Sequence, residues 1–262
     1  MVQRVESGEN MKNKITVGIV GCGFVGGALK QWLENNNPGV TILVSDPPKG
    51  YTDSMASADV IFISIHVPTE EDGKQDLRVM KKIIKTLPAK PIFIRTTILP
   101  GTSEKLSRET KRRVYFMPEF LTERTAYEDF GSQPMVFTAE CELLERIFVG
   151  KRFIQMSSLE AEITKYAHNV FGALKVTYFN AIYHLCQKNG CFYDNVLRGI
   201  LLSGYINDVH TAVPGPDGKL GYGGKCFPKD VNAFAKLYQN EPIGTLLQHL
   251  KDLNIAFRGA DA

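Results

Sequence analysis

From Lys14 onward, short runs rich in β-branched residues alternate with stretches whose apolar residues return every three to four positions. ITVGIV, VTILVSD, DVIFISIHV and PIFIRTT are apolar at nearly every position, as strands covered on both faces should be. Between them, GFVGGALKQWLENN and LRVMKKIIKTL have helical spacing. The alternation predicts a Rossmann-type, doubly wound α/β unit with a mostly parallel sheet. It continues more weakly through RVYFMP, PMVFTA, a helix near ECELLERIF, and RFIQM. After Ser157 the rhythm changes. From Leu159 to Gln187 the only Gly or Pro is Gly172, which predicts one long helix ending near Asn189 and Gly190. YDNVLRGILL, KDVNAFAKLYQN and IGTLLQHLKDL predict further helices around the turn-rich VPGPDGKLGYGGKCFP. The expected organisation is a loose polar tail over residues 1–13, a Rossmann domain over 14–156 and an all-helical domain over 157–262.

Composition narrows the function classes. The chain is 44% hydrophobic and 23% charged with a net charge of +3, and its Lys and Arg are interspersed with acidic residues, so it lacks the basic stripe that nucleic-acid binding requires. Its five cysteines are scattered without a CxxC pair, which argues against a disulfide framework and a zinc site, and the histidines show no metal-ligand spacing. No apolar run approaches the roughly 18–20 residues of a membrane helix, and the polar start has no signal-peptide core. No metal, no membrane and a reducing, cytoplasmic setting are therefore expected.

The sharpest local signal is Gly21-Cys22-Gly23-Phe24-Val25-Gly26, which follows an apolar run and opens a helical one. In this context the first glycine permits a tight turn, the second admits a pyrophosphate to the backbone, and the third allows close helix–strand packing. Asp46 stands about twenty residues further on, at the end of the next strand, placed to accept from a ribose hydroxyl and to repel a 2′-phosphate. This favours NAD. Lys49, just beyond, is the cation that could instead tolerate a phosphate.

Read together with that loop, HVPTE, RTTILPGTSEKL, MPEFLTERTAYEDF, AEITKYAHNVFGALKV and GYGGKCFPKD resemble the UDP-glucose/GDP-mannose dehydrogenase family in order and spacing, over residues 15 to 240. The resemblance implies an NAD-dependent oxidation of a nucleotide sugar's primary alcohol to a carboxylate, by two hydride transfers. It places Cys226 as nucleophile, Lys165, Asn169 and Asp230 around it, and Glu119 and Thr97 at positions that handle protons and water. It puts Thr69 and Thr97 beside the cofactor, where the glycine loop and Lys49 are also expected, and Phe120, Leu121, Glu123 and Gly223 beside the sugar with Lys165 and Asn169. A homodimer through the helical domain is also implied. The family's C-terminal nucleotide-binding domain has no counterpart in this sequence, so a separate chain supplying it is a further expected partner.

The residue types suit that chemistry independently. Lys165 and Asn169, four apart on one helical face, can meet a single oxygen and stabilise developing negative charge. Cys226 precedes a helix expected to begin near Pro228 and is flanked by Lys225 and Lys229, all of which favour a thiolate. A thiol lets one site oxidise twice, because a trapped aldehyde becomes a thiohemiacetal and then a thioester. Two other readings stay open: a β-hydroxyacid-type dehydrogenase, which has no need of Cys226, and a non-catalytic NAD-binding or dimerisation module.

Overall fold

The computed structural model describes residues 14–70, 73–138 and 141–259, and the tail expected over residues 1–13 lies outside them. The chain forms two compact units. One runs through Ile65, takes in Lys82–Thr96 and resumes from Leu106 to Ser157; the other gathers His66–Lys81, Thr97–Lys105 and the chain from Ser158 onward.

The first unit is built on a six-stranded sheet. Its strands are β1 (Thr16–Val20), β2 (Thr41–Asp46), β3 (Tyr51–Thr52), β4 (Val60–Ile63), β5 (Ile92–Ile94) and β6 (Val114–Phe116), in the order β3-β2-β1-β4-β5-β6. Every pairing is parallel except that of β3, a two-residue antiparallel edge. β4 and β5 are buried at every position, which is why VIFI and IFI show no polar alternation. Helix α1 (Phe24–Asn36) returns the chain from β1 to β2, and α2 (Arg78–Thr86) leads back to β5. The expected Rossmann fold is present.

Two further helices, α3 (Thr102–Thr110) and α4 (Ala126–Ser132), were not legible in the hydrophobic pattern. Each has a single fully apolar anchor: Leu106 is buried in α3, and Phe130 in α4 packs its ring 5.6 Å from that of Trp32 on α1. β7 (Met135–Phe137) and β8 (Phe153–Gln155), flanking α5 (Cys141–Ile147), do not extend the main sheet but pair parallel with each other.

The second unit is helical. Its spine is α6 (Ser158–Lys188), 31 residues long, against which α7 (Tyr193–Leu201), α8 (Phe227–Leu237) and α9 (Pro242–Arg258) pack. Tyr166 of α6, fully buried, stacks on Phe234 of α8 with ring centroids 4.9 Å apart. The lone glycine of the long helix has a packing reason. A Cβ on Gly172 would lie 2.6 Å from Cζ of Phe227, so the missing side chain is the seat of that ring. The helix ends on Gly190 in the left-handed region (φ 65°), with Gly190 N–H donating to Gln187 O at 3.2 Å and Cys191 N–H to Cys186 O at 3.0 Å. These are the two hydrogen bonds of a Schellman cap.

Candidate active site

In the first unit, the three glycines of the loop after β1 have three different environments. Gly21 has a φ of 86°, and a Cβ there would stand 2.6 Å from Ser64 O, so only glycine fits. A Cβ on Gly26 would fall 2.0 Å from Gly21 O, where helix and loop touch. Gly23, by contrast, faces open space at the N-terminus of α1, and no side chain caps that helix. Its bare backbone and unclaimed N–H groups form a cradle that a phosphate can enter. Phe24 is exposed and Val25 half-buried at the rim of this turn. Asp46 closes the loop from the end of β2, its carboxylate accepting from Cys22 N–H at 2.8 Å, while Lys49 donates to Cys22 O at 2.7 Å. The acid and the base thus hold opposite ends of one peptide segment. Burial pushes the Cys22 thiol up, with Lys49 and Lys30 pulling the other way.

The same unit holds Glu119, which is 9% exposed and accepts from Leu121 N–H at 2.7 Å. Glu119, Phe120 and Leu121 line a cavity of about 20 Å³ together with Arg95. Arg95 was not singled out in the sequence. Its guanidinium is 2% exposed, lies over the Phe130 ring at 5.3 Å, and has buried Nε and Nη1 atoms without a hydrogen-bond partner. Burial lowers it to about 10, opposed by the charge of Glu119. Glu123 is exposed on the turn that follows.

The second unit assembles the polar cluster. Lys165 and Asn169 project from α6 and are 4% and 5% exposed, although they sit mid-helix. Asn169 donates to the Asp230 carboxylate of α8 at 2.6 Å. Asp230 is 1% exposed and also receives Lys229 Nζ at 2.5 Å. Its own N–H donates to Cys226 O at 2.9 Å, so Cys226 is the N-cap of α8 and the helix begins beside Pro228, as expected. Cys226 is exposed. Phe227, whose ring occupies the space left by Gly172, fixes this segment against α6. His210, itself at a positive φ of 62°, meets the same ring edge-on at 5.2 Å.

The glycine-rich loop ahead of Cys226 is held by side chains the sequence did not flag. Gly221 N–H donates to Asn180 at 2.9 Å, and Asn254 bonds both N–H and C=O of Tyr222, at 2.7 and 3.1 Å. A Cβ on Gly223 would come within 2.3 Å of Arg258, whose guanidinium fills that side and pairs with Asp217.

Thr97 lies in a turn clamped from two directions. Gln75 donates to Thr97 O at 3.1 Å and to Tyr166 Oη at 3.3 Å, and accepts from Leu99 N–H at 2.9 Å. Glu162, fully buried on α6, accepts from Gly101 N–H at 2.6 Å and Ser103 N–H at 2.9 Å, capping α3. Burial raises its carboxyl, and these hydrogen bonds oppose the rise. Thr69 has a buried Oγ1 without a partner and lines a cavity of about 310 Å³ with Tyr222, Lys229, Asn232, Lys251 and Asn254. Among the described residues, no group of His, Cys, Asp or Glu could hold a metal, and no helix is long and apolar enough to cross a membrane.

Comparison with known proteins decides what this arrangement belongs to. The model of the UDP-glucose/GDP-mannose dehydrogenase family's NAD binding domain matches residues 48–145, and that of the family's central domain matches residues 159–255. The chain belongs to this family. UDP-glucose 6-dehydrogenase of Pseudomonas aeruginosa is 32% identical over 210 residues, 70% of this chain and 45% of that protein. The protein of the same name from Rickettsia felis is 28% identical over 235 residues, 82% of this chain and 50% of the relative. The chain thus spans about half the length of the curated relatives it matches. A UDP-glucose dehydrogenase from Pyrobaculum islandicum has the same fold, with a TM-score of 0.77 and 22% identity over 96% of this chain and 70% of that one.

Proposed function

We propose that this chain carries the NAD-binding and catalytic part of a nucleotide-sugar 6-dehydrogenase, oxidising a sugar's primary alcohol to the carboxylate through a covalent intermediate on Cys226. The observation that carries the reading is the buried hydrogen bond from Asn169 to Asp230, with Lys165 one turn before Asn169 and Cys226 one turn before Asp230. A lysine and an amide kept out of water serve an oxygen that gains negative charge better than they serve packing.

The residues of the first unit fit NAD. Gly23 offers an open cradle, Gly21 the required turn and Asp46 the acidic end of β2. When bound, NAD supplies the acceptor for the two hydrides that leave the sugar carbon. Lys165 and Asn169 hold the oxygen of that carbon and stabilise its negative charge. The helix end at Cys226 favours the sulfur's negative form. The thiolate adds to the aldehyde carbon, forming a C–S bond, and the second oxidation leaves a thioester. Water then attacks, Glu119 takes its proton, and the C–S bond breaks to restore the thiolate.

The names of the relatives support a UDP-sugar such as UDP-glucose as substrate. A homodimer would use the face of α6 that carries Phe171 and Tyr178, 64% and 53% exposed, which lines an apolar cavity of about 520 Å³ with Tyr205, 90% exposed, from the segment after α7.

Titrating the NAD-loaded protein with UDP- and GDP-sugars by calorimetry, then counting NADH in a rapid-mixing experiment, tests the reading. Two NADH per sugar, with Cys226→Ser stopping after one or none, is the expected result. Undiminished four-electron turnover in that variant removes Cys226 from the mechanism. NAD binding with no response to any sugar favours a cofactor-binding or dimerisation module instead.

A further inference from the structure

Outside this site, two thiols are brought together by the way the longest helix stops. In a Schellman cap, the residue three from the helix end and the second residue beyond it turn their side chains toward each other. Here those positions are Cys186 and Cys191, joined through the 3.0 Å hydrogen bond between Cys191 N–H and Cys186 O. Gly190 supplies the left-handed residue between them, at φ 65°. The pairing is a product of the cap and not of any sequence spacing associated with disulfides, which is why five scattered cysteines gave no hint of it.

The two sulfurs differ in a useful way. Cys191 is exposed, whereas Cys186 is 3% exposed and packs with Phe179 and Tyr193. Burial pushes the Cys186 thiol up, and the neighbouring Cys191 thiol, hydrogen-bonded to it, adds to the rise. An outside disulfide can therefore reach one sulfur, and the other is held beside it to complete the exchange.

We propose that Cys186 and Cys191 form a reversible disulfide that staples the C-terminal cap of α6 to the segment leading into α7. The oxidant is a small disulfide such as oxidised glutathione. Cys191, as thiolate, attacks one of its sulfurs and expels the first glutathione thiolate; Cys186, as thiolate, then attacks the Cys191 sulfur of the mixed disulfide and expels the second. Two protein protons and two electrons are lost, and one glutathione disulfide becomes two thiols. The inference does not depend on the catalytic reading.

Lys188 lies between the two cysteines, so trypsin separates them into peptides 176–188 and 189–198. The full chain is incubated with oxidised glutathione, denatured, alkylated, digested without reductant and analysed by mass spectrometry. The expected product is the two peptides joined, two hydrogens lighter than their sum and released by dithiothreitol. Recovery of Cys186 as the alkylated thiol, with Cys191 either alkylated or carrying glutathione alone, overturns the proposal. In Cys191→Ser, a change at an exposed position, Cys186 is expected to stay a thiol under the same treatment. Its glutathionylation there would overturn the order of attack.

Discussion

Asn169 and Asp230, sixty-one residues apart in sequence, meet at 2.6 Å with both side chains buried. The bond ties α6 to the first turn of α8, the turn that begins at Cys226. Replacing Asp230 by Ala leaves the Asn169 amide and the Lys229 ammonium without their acceptor. A stability loss of about 1–3 kcal/mol is expected from the buried Asn169 amide, whereas Lys229, 27% exposed, can turn to water. In a double-mutant cycle with Asn169→Ala, followed by denaturant unfolding, the coupling is expected at about 0.5–3 kcal/mol. Additive effects would mean that the bond holds nothing together.

Gly172 and Phe227 give a test of how Cys226 is positioned. A methyl group at residue 172 would enter the Phe227 ring, 2.6 Å from Cζ. Gly172→Ala is expected to cost about 1–3 kcal/mol by overpacking and to change the rate at which Cys226 reacts with iodoacetamide. Pairing it with Phe227→Leu should recover most of the stability. A single variant as stable as the parent would show that the ring moves freely.

The glycine loop separates binding from folding. Gly26→Ala places a Cβ 2.0 Å from a backbone oxygen, whereas Gly23→Ala meets nothing within 4 Å. Thermal unfolding should therefore be strongly lowered in the first variant and little changed in the second. NAD affinity, measured by calorimetry, should fall at least tenfold in Gly23→Ala, because its methyl fills the space a pyrophosphate needs. Unchanged affinity would place the cofactor elsewhere.

His210 provides a pH handle. Although the residue as a whole is exposed, partial desolvation of the ring, which lies against Phe227, and then the charge of Lys175 lower its pKa below the ordinary 6.5. Between the lowered value and 6.5 the unfolded chain binds the proton that the folded chain refuses, so stability is fully present above pH 6.5 and declines as pH falls through that window. His210→Asn, which suits the positive φ, is expected to flatten the acid side of a stability-versus-pH curve. A curve of the same slope in the variant would assign the acid sensitivity to other groups.

The sequence was most informative where one physical demand controls many residues. Strands buried on both faces must be continuously apolar, so β1, β4 and β5 were visible, as was the 31-residue α6 with its near absence of Gly and Pro. α3 and α4 were not, because each rests on one buried anchor and is held otherwise by capping and loop contacts. Candidate site residues followed the same division. Cys226, Lys165, Asn169 and Asp230 lie on motifs, as two pairs each four residues apart, and the structure joins the pairs through Asn169 and Asp230. Arg95, Gln75, Glu162, Asn180 and Asn254 act through partners distant in sequence, and nothing local distinguishes a buried arginine or glutamate from an exposed one.

Glu162 has an effect beyond holding a turn. A helix start is an attractive berth for any anion, and the amides of Gly101 and Ser103 would offer one at α3. The chain has moored its own carboxylate there. A phosphate arriving at that end would find the donors engaged and a resident negative charge facing it, so the protein has withdrawn one of its natural landing places for nucleotides.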